Sequence, residues 1–131
     1  SPEGLSKKIE NLRVLCWQEA GVARSEKGLQ KTLLSIRKDL QQVIDEPLLR
    51  IVRNQKKDAS NSFDDLSRRN LNLLLDLSNR QLVSSLLLEA CLFRTESRGG
   101  HFRTDSPTSL PQWKCHSRNQ IQTGLSTRPI K

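Results

Sequence analysis

Regularly spaced leucines between residues 64 and 95 constrain the fold of this chain more than any other feature. They recur every three or four residues, which is the spacing of an α-helix, and leucine favours helix over strand. We therefore predict a helix that begins at Asp64 or Asp65 and runs to about Thr95. Two adjacent apolar stripes predict a broad buried face, as in the central helix of a bundle. One stripe comprises Leu66, Leu73, Leu77, Ser84, Leu88 and Cys91, and the other comprises Leu71, Leu74, Leu75, Leu82, Leu86 and Phe93.

Two shorter helices are predicted upstream. Gly21 is expected to end the first, Ser25 to be the N-cap of the second, and Pro47 to end or kink the second. Residues 50–62 are polar and predict a loop, with one helical turn over residues 48–52. The first apolar stripe is Leu5, Ile9, Leu12, Cys16 and Ala20, and the second is Leu29, Leu33, Ile36, Leu40, Val43 and Ile44.

The predicted fold class is all-α. Residues 1–96 are expected to form a three-helix bundle with a long third helix, and residues 97–131 an irregular tail. The tail contains three prolines and few large apolar side chains, so it cannot build a core of its own. No apolar run approaches the 18 or so residues of a membrane span, and the first residues lack the apolar segment of a signal peptide.

Charge and cysteines narrow the possible partners and location. The net charge is +8, and residues 97–131 carry six Lys or Arg against one acid, so the tail is distinctly cationic. Such a tail suits nucleic acid, an anionic membrane or an acidic protein surface. Cys16, Cys91 and Cys115 have no CxxC spacing, which argues against disulfides and zinc and favours a reducing, cytoplasmic location.

The stretch "FRTESRGGHFRTDSP" has an unusual density of functional side chains. His101 could serve as a base beside Glu96 or Asp105, but the chain contains no recognisable nucleophile motif or phosphate-binding loop. His101, His116 and Cys115 match no common metal-site spacing. Nucleic-acid binding would use the arginines and Phe102, although no known reader module is present. A solvated helix end with a Gly-Gly turn remains the simplest alternative.

This stretch also resembles a segment of the flavoproteins that oxidise L-aspartate and of their relatives, the flavoprotein subunits of succinate dehydrogenase and fumarate reductase. The family form is R-x-E-S-R-G-[GA]-H-[YF]-R-x-D-[YF]-P, from which Ser106 departs. The matching residues are Arg94, Glu96, Ser97, Arg98, Gly99, Gly100, His101, Phe102, Arg103, Asp105 and Pro107. Upstream, "LCWQEAGVARSEKGL" resembles L-x-W-x-x-x-G-[IV]-x-R-x-x-x-G-L through Leu15, Trp17, Gly21, Val22, Arg24, Gly28 and Leu29. Trp113 and His116 resemble a Trp-x-x-His segment of the family.

The resemblance implies a C-terminal helical domain of a longer enzyme. The Gly-Gly-His form favours the L-aspartate oxidase branch, whose members convert L-aspartate to iminoaspartate for NAD biosynthesis, with quinolinate synthase as the next enzyme. FAD would be held by a Rossmann-like domain and the substrate closed in by a capping domain. This chain lacks the dinucleotide-binding glycine pattern, so we expect it to hold no FAD itself.

The role that the resemblance implies for this chain is scaffolding, with the tail packed against the flavin domain. No catalytic, FAD-binding or metal-binding residue is assigned within it, and no specific nucleic-acid partner is expected. The interface candidates are Arg94, Glu96, Arg98, Gly99, Gly100, His101, Arg103, Asp105 and Trp113. Two alternatives stay open: the same domain of a dicarboxylate dehydrogenase flavoprotein, and a free-standing basic helical binding protein.

Overall fold

The computed structural model describes residues 1–55 and 63–131. The helices are α1 (Pro2–Ala20), α2 (Glu26–Ile44), α3 (Pro47–Arg53) and α4 (Asp65–Phe93). A single 3-10 turn (Pro111–Trp113) precedes strands β1 (Cys115–Gln120) and β2 (Gly124–Pro129). The helical turn predicted over residues 48–52 is the short helix α3. The part of the predicted loop that covers residues 56–62 lies outside the described residues.

The predicted helix boundaries are confirmed where local chemistry sets them. Ser25 caps α2, since its Oγ accepts a hydrogen bond from the Gly28 amide at 3.1 Å. Asp64 caps α4 in the same way, accepting from the Ser67 amide at 2.7 Å. α1 ends before Gly21, where an added Cβ would lie 2.2 Å from the Trp17 carbonyl oxygen, so only glycine fits there.

The bundle is all-α, as predicted. α4 packs against both α1 and α2, and α3 packs against α4 beyond the end of α2. The core lies among these helices and is made chiefly of aliphatic side chains. Its most deeply buried members are Leu29, Ile36, Leu77 and Leu88. Among the described residues no helix is both long enough and apolar enough to cross a membrane.

The predicted stripes of α4 were partly wrong. The buried face is centred on Leu74, Leu77, Gln81, Ser85 and Leu88, so it includes two polar residues that neither predicted stripe contained. Gln81 and Ser85 are polar, so a pattern built on leucine alone misses them. It therefore assigns the wrong inward face to this part of α4. The predicted core leucines that are exposed instead are Leu66, Leu75, Leu82 and Leu86.

Replacing Leu77 with alanine tests this assignment of the inward face. Leu77 is fully buried, so its truncation is expected to lower the free energy of unfolding by about 2–5 kcal/mol, through lost burial and a residual cavity. The matched control is Leu86→Ala on the same helix, where the side chain is 45% exposed and a change below about 1 kcal/mol is expected. Urea unfolding measures both. Equal losses at the two positions would contradict this placement of α4.

The end of the tail forms a hairpin that the sequence did not predict. β1 and β2 pair antiparallel, with His116 opposite Arg128 and Gln120 opposite Gly124. Gly124 has a φ of 71°, a conformation that favours glycine at the turn. The strands are largely exposed and polar, so they lack the apolar alternation by which strands are recognised. The Asn119 amide reaches Glu89 on α4 at 3.3 Å, which ties the hairpin to the bundle.

Candidate functional site

The chain leaves α4 at Phe93, two residues before the predicted end, and turns sharply at the glycines. The amide of Arg98 donates to the His101 carbonyl at 2.8 Å, and the His101 amide donates back at 3.0 Å. Gly99 has a φ of 58°, as the first central residue of a two-residue hairpin turn requires. Gly99 and Gly100 therefore form a hairpin turn beyond the helix rather than the helix end. Both glycines are exposed.

Arg103 is the buried centre of the site. It is only 1% exposed, and its Nη1 donates to the carbonyls of Cys91, Leu92 and Arg94 at 3.3, 2.9 and 3.3 Å. These carbonyls belong to the C-terminal turn of α4, which has no further helical amides to satisfy them. A cation is favoured at this negative end of the helix dipole. Arg103 therefore caps α4 from outside the helix.

Asp105 links this cap to the start of α2. Its carboxylate accepts from Arg103 Nε at 3.2 Å and from Arg103 Nη2 at 2.6 Å. The same carboxylate accepts from the backbone amide of Glu26, the first residue of α2, at 3.0 Å. The hydrogen bonds from Arg103, followed by that from Glu26, lower the pKa of Asp105. One ion pair thus bridges the end of α4 and the beginning of α2.

Glu96 organises a second set of contacts. Its side chain is fully buried and accepts from Arg98 Nε at 2.9 Å, Arg98 Nη2 at 3.1 Å and Arg94 Nη1 at 2.5 Å. The Leu110 amide donates at 2.8 Å to Glu96 Oε2, the oxygen that also accepts from Arg98 Nη2. These bonds, that from Arg98 being the strongest cause, lower the pKa of Glu96 to about 2. Glu96 is therefore ionised and fixes the path of the following loop.

Trp113 is held by Arg94. The Arg94 guanidinium lies 5.2 Å from the centre of the Trp113 ring and donates to the Trp113 carbonyl at 2.9 Å. It also donates to the Cys115 carbonyl at 2.6 Å, at the first residue of β1. The Trp113 ring packs edge-on against Phe93, with centroids 5.3 Å apart. Arg94 therefore joins the end of α4 to the tail.

Arg24 and His101 complete the site, and Arg24 was not predicted as a site residue. Arg24 Nη1 donates to His101 Nδ1 at 2.8 Å, while His101 Nε2 lies 3.0 Å from the Arg94 carbonyl. A guanidinium can only donate and a carbonyl can only accept, so His101 is neutral with its proton on Nε2. Burial, and then the charges of Arg24, Arg103 and Arg94, lower the pKa of His101. Backbone pairing of Arg24 with residues 102–104, across the fold, helps to bring its side chain next to His101.

The side chains of the site form a structural junction between the end of α4, the start of α2 and the tail. Both nitrogens of His101 are engaged in hydrogen bonds, and the carboxylates of Glu96 and Asp105 are held by arginines. Within the described ranges no three His, Cys, Asp or Glu side chains gather as metal ligands. The described strands form only an antiparallel hairpin, which does not fit the strand–loop–helix site of an FAD pyrophosphate.

The nine interface candidates are all placed near one another, and most of their polar atoms bond within the chain. Arg94, Glu96, His101, Arg103 and Asp105 bind one another or nearby backbone. The exposed members of the set are Arg98, Gly99, Gly100 and Asp105, and the Arg98 side chain beside the turn is 41% exposed.

Comparison with known proteins gives this junction its context. The sequence profile described as fumarate reductase flavoprotein C-term matches residues 9–130. The chain belongs to this family. The matched residues therefore take in most of the helical bundle together with the junction and the hairpin. No solved structure matches the chain.

Three relatives illustrate the range of this flavoprotein family. L-aspartate oxidase of Nostoc sp. is 34% identical over 110 residues, which are 82% of this chain and 19% of that protein. An uncharacterized FAD-dependent oxidoreductase of Methanocaldococcus jannaschii is 33% identical, over 81% of this chain and 16% of its own length. One component of the fumarate reductase (CoM/CoB) of Methanothermobacter marburgensis is 28% identical, over 80% and 17%. The chain thus spans less than a fifth of these relatives' lengths.

Proposed function

We propose that this chain is the C-terminal domain of an FAD-dependent L-aspartate oxidase. The observation that carries the proposal is the 34% identity to L-aspartate oxidase of Nostoc sp. over 82% of the chain. The Gly99-Gly100-His101 form of the junction supports the same branch. The complete enzyme would convert L-aspartate to iminoaspartate, transferring a hydride to the flavin, with oxygen or fumarate as the acceptor.

The proposed role of this chain is to support the domains that bind FAD and substrate. Residues 97–131 would pack against the flavin-binding domain of the same polypeptide. The contacts of Arg94, Glu96 and Arg103 suit that role, because they hold the loop rigidly from inside the bundle. The exposed turn at Gly99 and the exposed ring of Phe102 would then be presented to the neighbouring domain without further ordering.

The proposal also includes a cytoplasmic location and a pathway. The thiols of Cys16, Cys91 and Cys115 are free, which suits a reducing compartment. Iminoaspartate is unstable in water as an imine, so a consuming enzyme such as quinolinate synthase would follow directly in NAD biosynthesis.

Purification of the complete polypeptide that carries this chain tests the proposal. We expect a yellow protein that holds FAD and releases peroxide, or reduces fumarate, when L-aspartate is added. The 131-residue chain alone is expected to be colourless and inactive, and it serves as the control.

Other outcomes identify the alternatives. Succinate oxidation without aspartate turnover would favour a dicarboxylate dehydrogenase flavoprotein, the second candidate, which the 28% identity to a fumarate reductase component supports. A complete polypeptide that retains no flavin would overturn both enzyme assignments and favour a binding protein.

A further inference from the structure

The C-terminal half of α4 is apolar on both sides. One side faces the core through Leu88 and Cys91. The opposite side consists of Leu82, Val83, Leu86 and Leu87, which are 45–65% exposed. We call these four residues the outer face. A helix that is hydrophobic all round is normally buried all round, and a contiguous exposed apolar patch marks an interaction surface.

The outer face continues into a groove with a cationic wall. This groove has a volume of about 330 Å³ and is lined by Leu87 and Ala90 of α4 together with Arg24, Arg94 and His101 of the junction. Leu87 belongs to both the outer face and the groove. The apolar surface therefore ends against guanidinium groups, and a partner that covers it would also meet their charge.

Arg24 is the cation in this groove that has no acidic partner. Its bonds go to the carbonyls of Ala20 and Gly21, to the Cys91 thiol and to His101, all of them uncharged. In the part of the chain that the structure describes, no carboxylate lies within 4.0 Å of it. Arg94 and Arg103, by contrast, pair with acids. A part-buried guanidinium without a counter-charge favours the binding of a carboxylate from another domain or molecule.

We propose that the outer face and the Arg24 groove form one docking surface, occupied by another domain of the same polypeptide that presents an apolar patch with a carboxylate at its edge. This inference rests on the proposed function for the existence of that domain. Relatives extend over more than five times the matched length, which supplies such a domain. A second copy fits less well, because each copy carries a net charge of +8 and would bring Arg24 and Arg94 towards like charges.

Side-chain footprinting of the complete polypeptide by hydroxyl radicals tests the docking surface. We expect Leu82, Leu86 and Leu87 to be labelled several-fold less than Leu34 of α2 and Leu66 of α4. Those two leucines are the matched controls, because their exposure in the domain is 67% and 59%, close to that of the outer face. Labelling of the outer face at the level of Leu34 and Leu66 would overturn the proposal.

Two variants test how the surface is held. Leu86→Glu is expected to raise the labelling of Val83 and Leu87, because the glutamate cannot be buried against an apolar patch. Arg24→Gln is expected to raise the labelling of Leu87, whereas Arg80→Gln, which removes an exposed arginine paired with Asp76, is expected to leave it unchanged. If neither Leu86→Glu nor Arg24→Gln changes the labelling, the proposal is overturned.

The remaining outcomes separate this inference from the proposed function. Protection that disappears on dilution would identify a second copy as the occupant and overturn the proposal. Protection that persists in a polypeptide without flavin or aspartate turnover would sustain the docking surface while the proposed function fails. Flavin and aspartate turnover without protection would sustain the proposed function and overturn the docking surface.

Discussion

Replacing Arg103 with methionine is expected to lower the free energy of unfolding by about 3–5 kcal/mol, because it breaks a buried ion pair and removes the cap of α4. The methionine would fill the apolar volume of the side chain but donate no hydrogen bonds. Three carbonyls at the end of α4 would lose their partner, and Asp105 would lose its counter-charge. Each buried polar group left unsatisfied adds about 1–3 kcal/mol of cost.

Urea unfolding at neutral pH measures this loss, and two further variants interpret it. Arg68→Met removes an exposed pair with Asp65 and is expected to cost less than about 1 kcal/mol, because solvent screens such pairs. Arg103→Lys keeps the charge but cannot reach several carbonyls and a carboxylate at once, so an intermediate loss is expected. If Arg103→Met unfolds like Arg68→Met, Arg103 does not cap α4 as described.

The sequence predicted the helices well because their signals are local. The capping side chains of Ser25 and Asp64 act within one turn of where they stand. Pro47, predicted to end or kink the second helix, follows the end of α2 at Ile44 and is the first residue of α3. The rotation of α4 was less predictable, since Gln81 and Ser85 are buried despite their polarity. Which face of a helix is covered depends on the elements packed against it, and a pattern of leucines does not identify those elements.

The candidate site was predictable as a set of residues but not as an arrangement. The family form singled out Arg94, Glu96 and Arg103, and the structure brings them together at the end of α4. Several partners of the site residues lie on other segments: the Leu110 amide bonds Glu96, the Glu26 amide bonds Asp105, and the side chain of Arg24 bonds His101. Sequence spacing carries no information about such pairings across the fold. The paired glycines were compatible with a helix end as well as with a hairpin turn, because both favour glycine.

Glu96→Gln is expected to lower the free energy of unfolding by about 3 kcal/mol at neutral pH, and this loss is expected to vanish in acid. The amide keeps the size of the side chain but removes the charge that Arg94 and Arg98 share. The pKa of Glu96 in the fold is about 2, against an ordinary value of 4.5. A carboxyl whose pKa is lower in the fold than in the unfolded chain stabilises the fold fully above the unfolded value. That contribution is lost as the pH falls from about 4.5 to about 2.

The difference between the unfolding free energies of the parent and Glu96→Gln, measured from pH 7 down to pH 2, isolates this contribution. Asp105 and His101 titrate in both proteins, because the lowered pKa of Asp105 arises chiefly from Arg103 and that of His101 chiefly from burial, so their effects largely cancel in the difference. Asp65→Asn, which removes a 98% exposed carboxylate, provides the control and is expected to change stability by less than about 1 kcal/mol.

A difference that stays constant across the whole range would mean that the charge of Glu96 is not what holds the loop. A difference that closes near pH 4.5 would mean that its carboxylate is solvated rather than bound by the two arginines. Closure only as the pH approaches 2 requires an ionised carboxylate held inside the junction, because no other state of Glu96 resists protonation to that extent.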